Sequence, residues 1–299
     1  MFPNYEILEM IAETPRAAVY KAYHRKNPQR LLVLKVLKAI GLSEYEQTQI
    51  RQRIEHLRVL DDPALLVPVA LGVRDGVCFL TQDYFEGITL DHLREAAARL
   101  RMSDFLTMAC RIARALGRAH EAGIIHGGIK PSNILVDLAT LEVRLVDFIG
   151  AVDVRDLSHF IYDHNFVRGT LAYTSPEQTG RINHRLAFSS DLYSLGIVFY
   201  ELLTGKLPYP SDDPLEVIHS HLAREARRVH ELEPSVPAAL SAIVGKLMLK
   251  QPEKRYQTAG GLLPDLTRCR DEFSAIGTVR EFPWKRVWVF RPSRSSPRW

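Results

Sequence analysis

The sequence predicts an α+β chain in two unequal lobes, a small β-rich one followed by a larger helical one. Three observations predict it. Strand-like apolar runs crowd into residues 5–85, the apolar spacing turns helical from about residue 90, and no internal repeat interrupts that order. The 299 residues suffice to bury a substantial core, and 46% hydrophobic with 25% charged residues is an ordinary globular balance.

The elements follow in order. "EILEMIA" (6–12) is a short apolar run, "AAVYKAYHR" (17–25) alternates, and "RLLVLKVLKAI" (30–40) is rich in Leu and Val, so each reads as a strand. A helix is expected over about 44–60, where Ile50, Ile54, Leu57 and Leu60 share a face, and Asp61-Asp62-Pro63 stops it. "LLVPVALGV" (65–73) and "VCFLTQDYF" (77–85) read as two more strands around "RDG", a hairpin turn. Residues 103–122 read as a helix opened by a Ser103 cap and ended before Gly123. After "IIHGGIKPSNILV" (124–136) a strand pair is expected around "LEVRLVDF" (141–148). Helices follow at about 190–204, 213–225, 236–249 and 258–273.

Several function classes are disfavoured by composition. The start "MFPNYEILEM" lacks a basic stretch before an apolar run, so no secretory leader is expected. The longest apolar stretch, 192–203, is too short to span a bilayer and contains Glu201. Cys78, Cys110 and Cys269 form no C-x-x-C pair and suit a reducing compartment, so the cytoplasm is the expected location. His219-x-His221 has no neighbouring Cys or carboxylate at ligand spacing, and both are expected to be exposed helix histidines.

The formal charge of +4 is local. Residues 280–299 carry six Lys/Arg against Glu281, a net of +5, which leaves −1 for residues 1–279. That tail also holds all three Trp residues (Trp284, Trp288, Trp299). The expected organisation is one domain over 5–273, with lobes 5–85 and 86–273, and then a basic Trp/Arg-rich tail, 274–299, that forms no folded module. The tail reads as a remnant of a linker; the competing reading is a basic aromatic anchor for a membrane surface or acidic partner. No nucleic-acid partner is expected, because no reading module accompanies the charge; a membrane partner is not favoured.

The order of small motifs carries the functional reading. A strand Lys in "VLKVL" (Lys35) is followed by "HGGIKPSN" (126–133), "VDF" with Asp147, and "GTLAYTSPE" (169–177). "SSDLYSLGIVFYELLTGKLPY" (189–209) and Arg255 in "KQPEKRYQTA" complete the series. Together these resemble a eukaryotic-type Ser/Thr protein kinase domain over roughly residues 5–273. Residues 169–223 are most similar to the kinase-like domain at the head of large bacterial multidomain signalling proteins, which implies downstream signalling modules as partners.

The resemblance implies a bilobal protein-kinase-like fold, with ATP and Mg²⁺ as ligands. By alignment, Lys35 is the strand Lys for the α/β-phosphates, Asn133 and Asp147 are the Mg²⁺ ligands, and Lys130 is the catalytic-loop Lys. Val19, Val33 and Leu135 wall the adenine, Gln82 is the gatekeeper, and Asp83-Tyr84-Phe85 is the hinge. Val33 replaces the usual Ala and narrows that pocket. His126 packs beneath the catalytic loop, Asp191 anchors its backbone, Glu177 pairs with Arg255, and Thr170 marks Ser/Thr specificity.

The departures are as informative. Gly128 stands where the catalytic Asp belongs, five residues before Asn133, and Gly127 replaces the preceding Arg. General-base assistance is worth about 10²–10⁴-fold. The three phosphate-loop glycine positions are Ala12, Thr14 and Ala17, with Pro15 between them. Arg53 stands where a Glu should pair with Lys35, so the two cations would repel if they faced each other; Glu46 or Glu55 could substitute after a register shift. "DFIGA" exchanges the usual order after Asp147 and Phe148, placing Ile149 where freedom is needed and leaving Gly150 to supply it one residue late. Two readings remain: a pseudokinase that binds ATP weakly and acts as a scaffold or regulator, and an active Ser/Thr kinase using substitute residues.

Overall fold

Strands β1 (Tyr5–Glu13), β2 (Ala17–His24) and β3 (Asn27–Leu37) form an antiparallel meander. With β4 (Ala70–Arg74) and β5 (Val77–Asp83) they complete a sheet of order β1-β2-β3-β5-β4. The computed structural model describes residues 2–15, 17–38, 43–58, 61–95, 100–154, 171–182 and 184–281. Leu60, Thr170 and the three Trp residues of the tail lie outside the described residues.

The predicted "RDG" turn is present. Arg74 pairs with Val77, and the two-residue loop Asp75-Gly76 has φ of 49° and 76°, as a type I′ hairpin requires. The strand expected over 65–73 is shorter at its start. Residues before Ala70 instead tie the small lobe to the large one: the Leu66 N–H donates to the Leu145 carbonyl at 2.9 Å, and the Leu145 N–H donates to Ala64 O at 2.8 Å.

Helix α1 (Glu44–Arg58) buries Ile50, Ile54 and Leu57, the face that the sequence predicts. Its start is a capping box. Ser43 Oγ accepts from the Glu46 N–H, while the Glu46 carboxylate accepts from the Ser43 N–H at 2.8 Å and from its hydroxyl at 2.7 Å.

The large lobe opens with β6 (Ile88–Thr89) and α2 (Leu90–Glu95). Helix α3 (Met102–Glu121) follows, its apolar face buried as the spacing predicts. Its cap differs from the expectation: Arg101 is the N-cap residue and Ser103 lies inside the first turn. The Arg101 guanidinium instead donates to Asp104 at 2.7 Å. Strand β7 (Ile124–Ile125) pairs with β10 (Val152–Asp153), while β8 (Ile134–Val136) and β9 (Val143–Leu145) form a hairpin beside β6.

Among the described residues the α-helices that follow are α4 (Phe188–Thr204), α5 (Pro214–Ala223), α6 (Val229–Leu232), α7 (Ala238–Leu247) and α8 (Ala259–Ile276). They enclose one core around α3 and α4, where Phe105 and Phe199 meet edge to face at 5.4 Å. His221 is not an exposed helix histidine: it is buried against Tyr193, whereas His219 is exposed. No helix among the described residues is long and apolar enough to cross a membrane.

Candidate functional site

The loop 126–133 leaves β7 and enters β8, and Asp147 follows β9, so the β8–β9 hairpin brings the loop and Asp147 together at one end. The Val146 N–H donates to the Asn133 carbonyl at 3.0 Å and pins the two together. Beneath them, the buried Asp191 carboxylate accepts the N–H groups of His126 and Gly127, each at 2.8 Å. Asp191 therefore holds the loop backbone rather than capping its own helix, whose N-cap residue is Ala187.

His126 is fully buried, and its bonds fix its tautomer. Nδ1 accepts the Gly128 N–H at 3.2 Å, so Nε2 carries the hydrogen and donates to the Val146 carbonyl at 3.0 Å. Burial lowers its pKa, favouring the neutral ring, which packs on Phe148 at 4.6 Å.

Lys35 and Asp147, 112 residues apart, meet at 2.7 Å across the lobes, with side chains 21% and 30% exposed. Desolvation pushes the Asp147 carboxyl up, but the charge and hydrogen bond of Lys35, with a smaller share from Lys130, outweigh it and the pKa falls below its ordinary value. Asp147 has φ 69° and ψ 52°, a left-handed backbone that Asp tolerates better than most residues. Asn133 donates its Nδ2 to the Gly128 carbonyl at 2.8 Å, which leaves Oδ1 as its acceptor. An anionic carboxylate and an amide oxygen are hard donors that fit Mg²⁺.

The departures take physical form here. A Cβ added at Gly128 would meet nothing closer than Asn133 Nδ2 and His126 Nδ1, both at 3.6 Å, so the position has room for a side chain and lacks one. Gly127, at φ 69°, is a position that favours glycine; an added Cβ would also lie 3.3 Å from the Gly150 carbonyl. The Gln178 amide donates to the Gly127 carbonyl at 2.7 Å, and Gln178 also closes a capping box with Ser175. Its signal in the sequence is the S-x-x-Q spacing of a capping box at 175–178.

Lys35 and Arg53 escape repulsion by taking different partners. Lys35 binds Asp147, and the Arg53 guanidinium donates to the Ile149 carbonyl at 3.1 Å. Neither proposed substitute is committed to Lys35: Glu46 caps α1, and the exposed Glu55 pairs with Arg58 at 3.0 Å. Ile149 packs against the cluster of Ile50, Ile54 and Leu80, which accounts for an apolar residue there. Gly150 supplies no left-handed turn; the positive φ falls on Asp147 itself.

The loop between β1 and β2 is closed on itself. Thr14 donates its N–H to the Ala17 carbonyl at 2.8 Å, and the Ala17 N–H donates to Thr14 Oγ1 at 3.0 Å. Pro15 has no N–H to offer, so this tip fits a phosphate poorly.

The other positions expected to form a nucleotide pocket lie on β2, β3, β5 and β8. Val33 faces Gln82 across β3 and β5, Val19 pairs with Lys35 across β2 and β3, and Leu135 lies on β8; all five are half-buried. Arg30 holds the Asp83 carboxylate with two bonds of 2.8 Å, and Arg144 lies over the Phe85 ring at 4.7 Å.

Away from the cleft, Glu177 and Arg255 form a fully buried pair at 2.7 Å. Beside it, Lys250 donates to Tyr193 Oη at 3.2 Å, Tyr209 Oη at 2.9 Å and the Ser220 carbonyl at 3.0 Å. Burial, then the Arg255 charge, pushes the Lys250 ammonium from 10.5 down to about 7. The unfolded chain therefore holds the extra proton between those values, and stability should rise with pH across that window. From pH 7.5 to 9.5 this contributes about 1–2 kcal/mol, after discounting for solvent. Urea titrations at both pH values should show a shallower rise in Lys250→Met; equal slopes would refute the assignment.

Comparison with known proteins agrees with this geometry. The family described as "Protein kinase domain" matches residues 5–263. A probable serine/threonine-protein kinase of Clostridium perfringens is 32% identical over 270 residues, covering 90% of this chain and 38% of that protein. Serine/threonine-protein kinase PrkC of Bacillus subtilis is 30% identical over 271 residues, 90% of this chain and 41% of its own length. Serine/threonine-protein kinase PknB of Mycobacterium tuberculosis is 30% identical over 273 residues, 90% and 43% respectively. The chain thus spans about two-fifths of the length of these relatives.

Proposed function

The chain belongs to the protein kinase family, and from that premise we propose that it is a pseudokinase: a signalling module that binds ATP·Mg²⁺ weakly and acts as a scaffold or regulator. One observation carries the reading. At the position where a proton acceptor should stand, Gly128 has room but no side chain. The nearest basic atom, Nδ1 of His126, already accepts the Gly128 N–H within a fully buried ring. A substrate hydroxyl would find no general base there.

Weak rather than absent nucleotide binding follows from the division within the cleft. Lys35, Asn133 and Asp147 would hold the phosphates and Mg²⁺, and Val19, Val33 and Leu135 would flank the base. The self-bonded tip at Thr14–Ala17 would contribute little. Bound ATP·Mg²⁺ would supply the transferable phosphoryl group; the chain's own residues supply position and charge. The similarity of residues 169–223 to the kinase-like heads of bacterial multidomain proteins favours signalling modules as the regulated partners.

A thermal-shift titration tests the binding. A ligand that binds only the folded state raises the melting point by mass action. A Kd near 1 mM would give about 1 kcal/mol at 5 mM ATP·Mg²⁺, or roughly 2–4 °C. Asp147→Ala should remove the shift. No shift in the native chain would mean that the cleft takes no nucleotide. A second reading, an active Ser/Thr kinase, is favoured by the 2.7 Å Lys35–Asp147 contact, since it keeps the metal-binding carboxylate ionised in place.

A further inference from the structure

A cavity of about 410 Å³ opens where the C-terminal end of α4 and the loop after it meet the segment between α5 and α6. Tyr200, Leu207, Pro208 and Leu232 give it an apolar wall, and the exposed side chains of Lys206, Arg224 and Arg227 line it as well. Among the described residues, the Lys206 ammonium and the Arg224 and Arg227 guanidinium groups make no ion pair and no hydrogen bond; Lys206 bonds Thr204 through its backbone alone. That sets them apart from Arg25, Arg30, Arg101 and Arg118, each of which is paired with a carboxylate.

Two carboxylates also line the cavity. Glu201 is buried and accepts the Tyr173 hydroxyl at 2.5 Å, so it is occupied at the inner side. Glu225 is exposed, so the exposed charge is three cations against one anion. Arg presents a planar fork suited to carboxylates, and a net exposed charge of two cations beside an apolar recess forms a complementary surface for a chain carrying the opposite charge.

We propose that this cavity is a docking site for an acidic peptide segment of a partner protein. One apolar side chain of that segment enters between Tyr200 and Leu232, and flanking carboxylates pair with Lys206, Arg224 and Arg227. Such sites combine a buried anchor with a charged rim, and their affinity falls as salt screens the rim. The site is separate from the cleft, so it holds whether or not the chain transfers phosphate. Glu201 links it to Tyr173, in the segment that also carries Glu177 and Gln178.

A displayed library of random 12-residue peptides, selected on the full chain at low salt, tests this directly. The expected consensus is acidic with one aromatic or aliphatic residue. A peptide of that consensus should bind at least 10-fold more weakly to Lys206→Glu/Arg224→Glu/Arg227→Glu. It should also lose at least 10-fold when its apolar residue becomes Ser. The milder Arg224→Gln/Arg227→Gln should lose a smaller factor with an unchanged melting point, which separates lost binding from lost folding. A neutral or basic consensus, no enrichment, or equal binding to the charge-reversed chain overturns the proposal. So does a dimer that dissociates on charge reversal, which assigns the cavity to a second copy.

Discussion

Arg255→Met should lower the stability of the domain by about 3–5 kcal/mol, and Glu177→Gln by less, because breaking a buried ion pair strands its surviving partner. The asymmetry follows from the bonds. Arg255 donates to Glu177 at 2.7 and 3.4 Å, to the Leu249 carbonyl at 2.6 Å, and to those of Ser189 and Lys250 at 3.0 Å. Its loss takes a donor from three backbone carbonyls as well as the charge partner from a carboxylate, whereas losing the Glu177 charge leaves Arg255 those carbonyls. The guanidinium also lies 4.8 Å from the centre of the Tyr193 ring, a contact that Met replaces only by packing. For a domain of this size the Arg255 effect corresponds to a melting point lower by about 6–20 °C. Unchanged melting in both variants would mean that the pair does not hold the 171–179 segment on the lobe. An apolar replacement of both partners should recover part of the loss, since well-packed apolar groups can match a buried pair.

This pair was legible from the order of motifs, as were the two lobes, because each rests on chain-wide spacing. Features that depended on local alternatives were not. Arg53 and Lys35 read as two facing cations, yet a free carbonyl at Ile149 and the Asp147 carboxylate gave each another partner. Glu46 looked available for Lys35 because its helical face was right, but Ser43 three residues earlier makes it a cap. The freedom expected of Gly150 is unnecessary, because the left-handed turn falls on Asp147 and lets Ile149 pack below α1. His221 looked exposed because a histidine pair on a polar-looking helix hides no burial signal; Tyr193, 28 residues away, supplies its partner. Side-chain choices among neighbours are decided by tertiary geometry, which periodicity does not encode.

Phosphotransfer to the chain itself or to generic basic substrates should be at least about 10²-fold below that of a kinase with its base, the lower bound of general-base assistance. Gly128→Asp is the informative variant, because the structure gives it room. No atom lies within 3.6 Å of its Cβ, and the backbone there is not left-handed, so the variant should melt within about 1–2 °C of the native chain. It should nonetheless restore little transfer. The Thr14 and Ala17 N–H groups are still spent within the tip, and Arg53 still serves the Ile149 carbonyl instead of a Glu–Lys35 pair. Transfer of labelled γ-phosphate measures both claims, with nucleotide binding followed by thermal shift in the same samples. Native turnover that vanishes in Asp147→Ala would replace the pseudokinase reading with the active one. A recovery of 100-fold or more in Gly128→Asp would show that the missing base was the sole defect, and that the phosphate loop and Arg53 cost the reaction little.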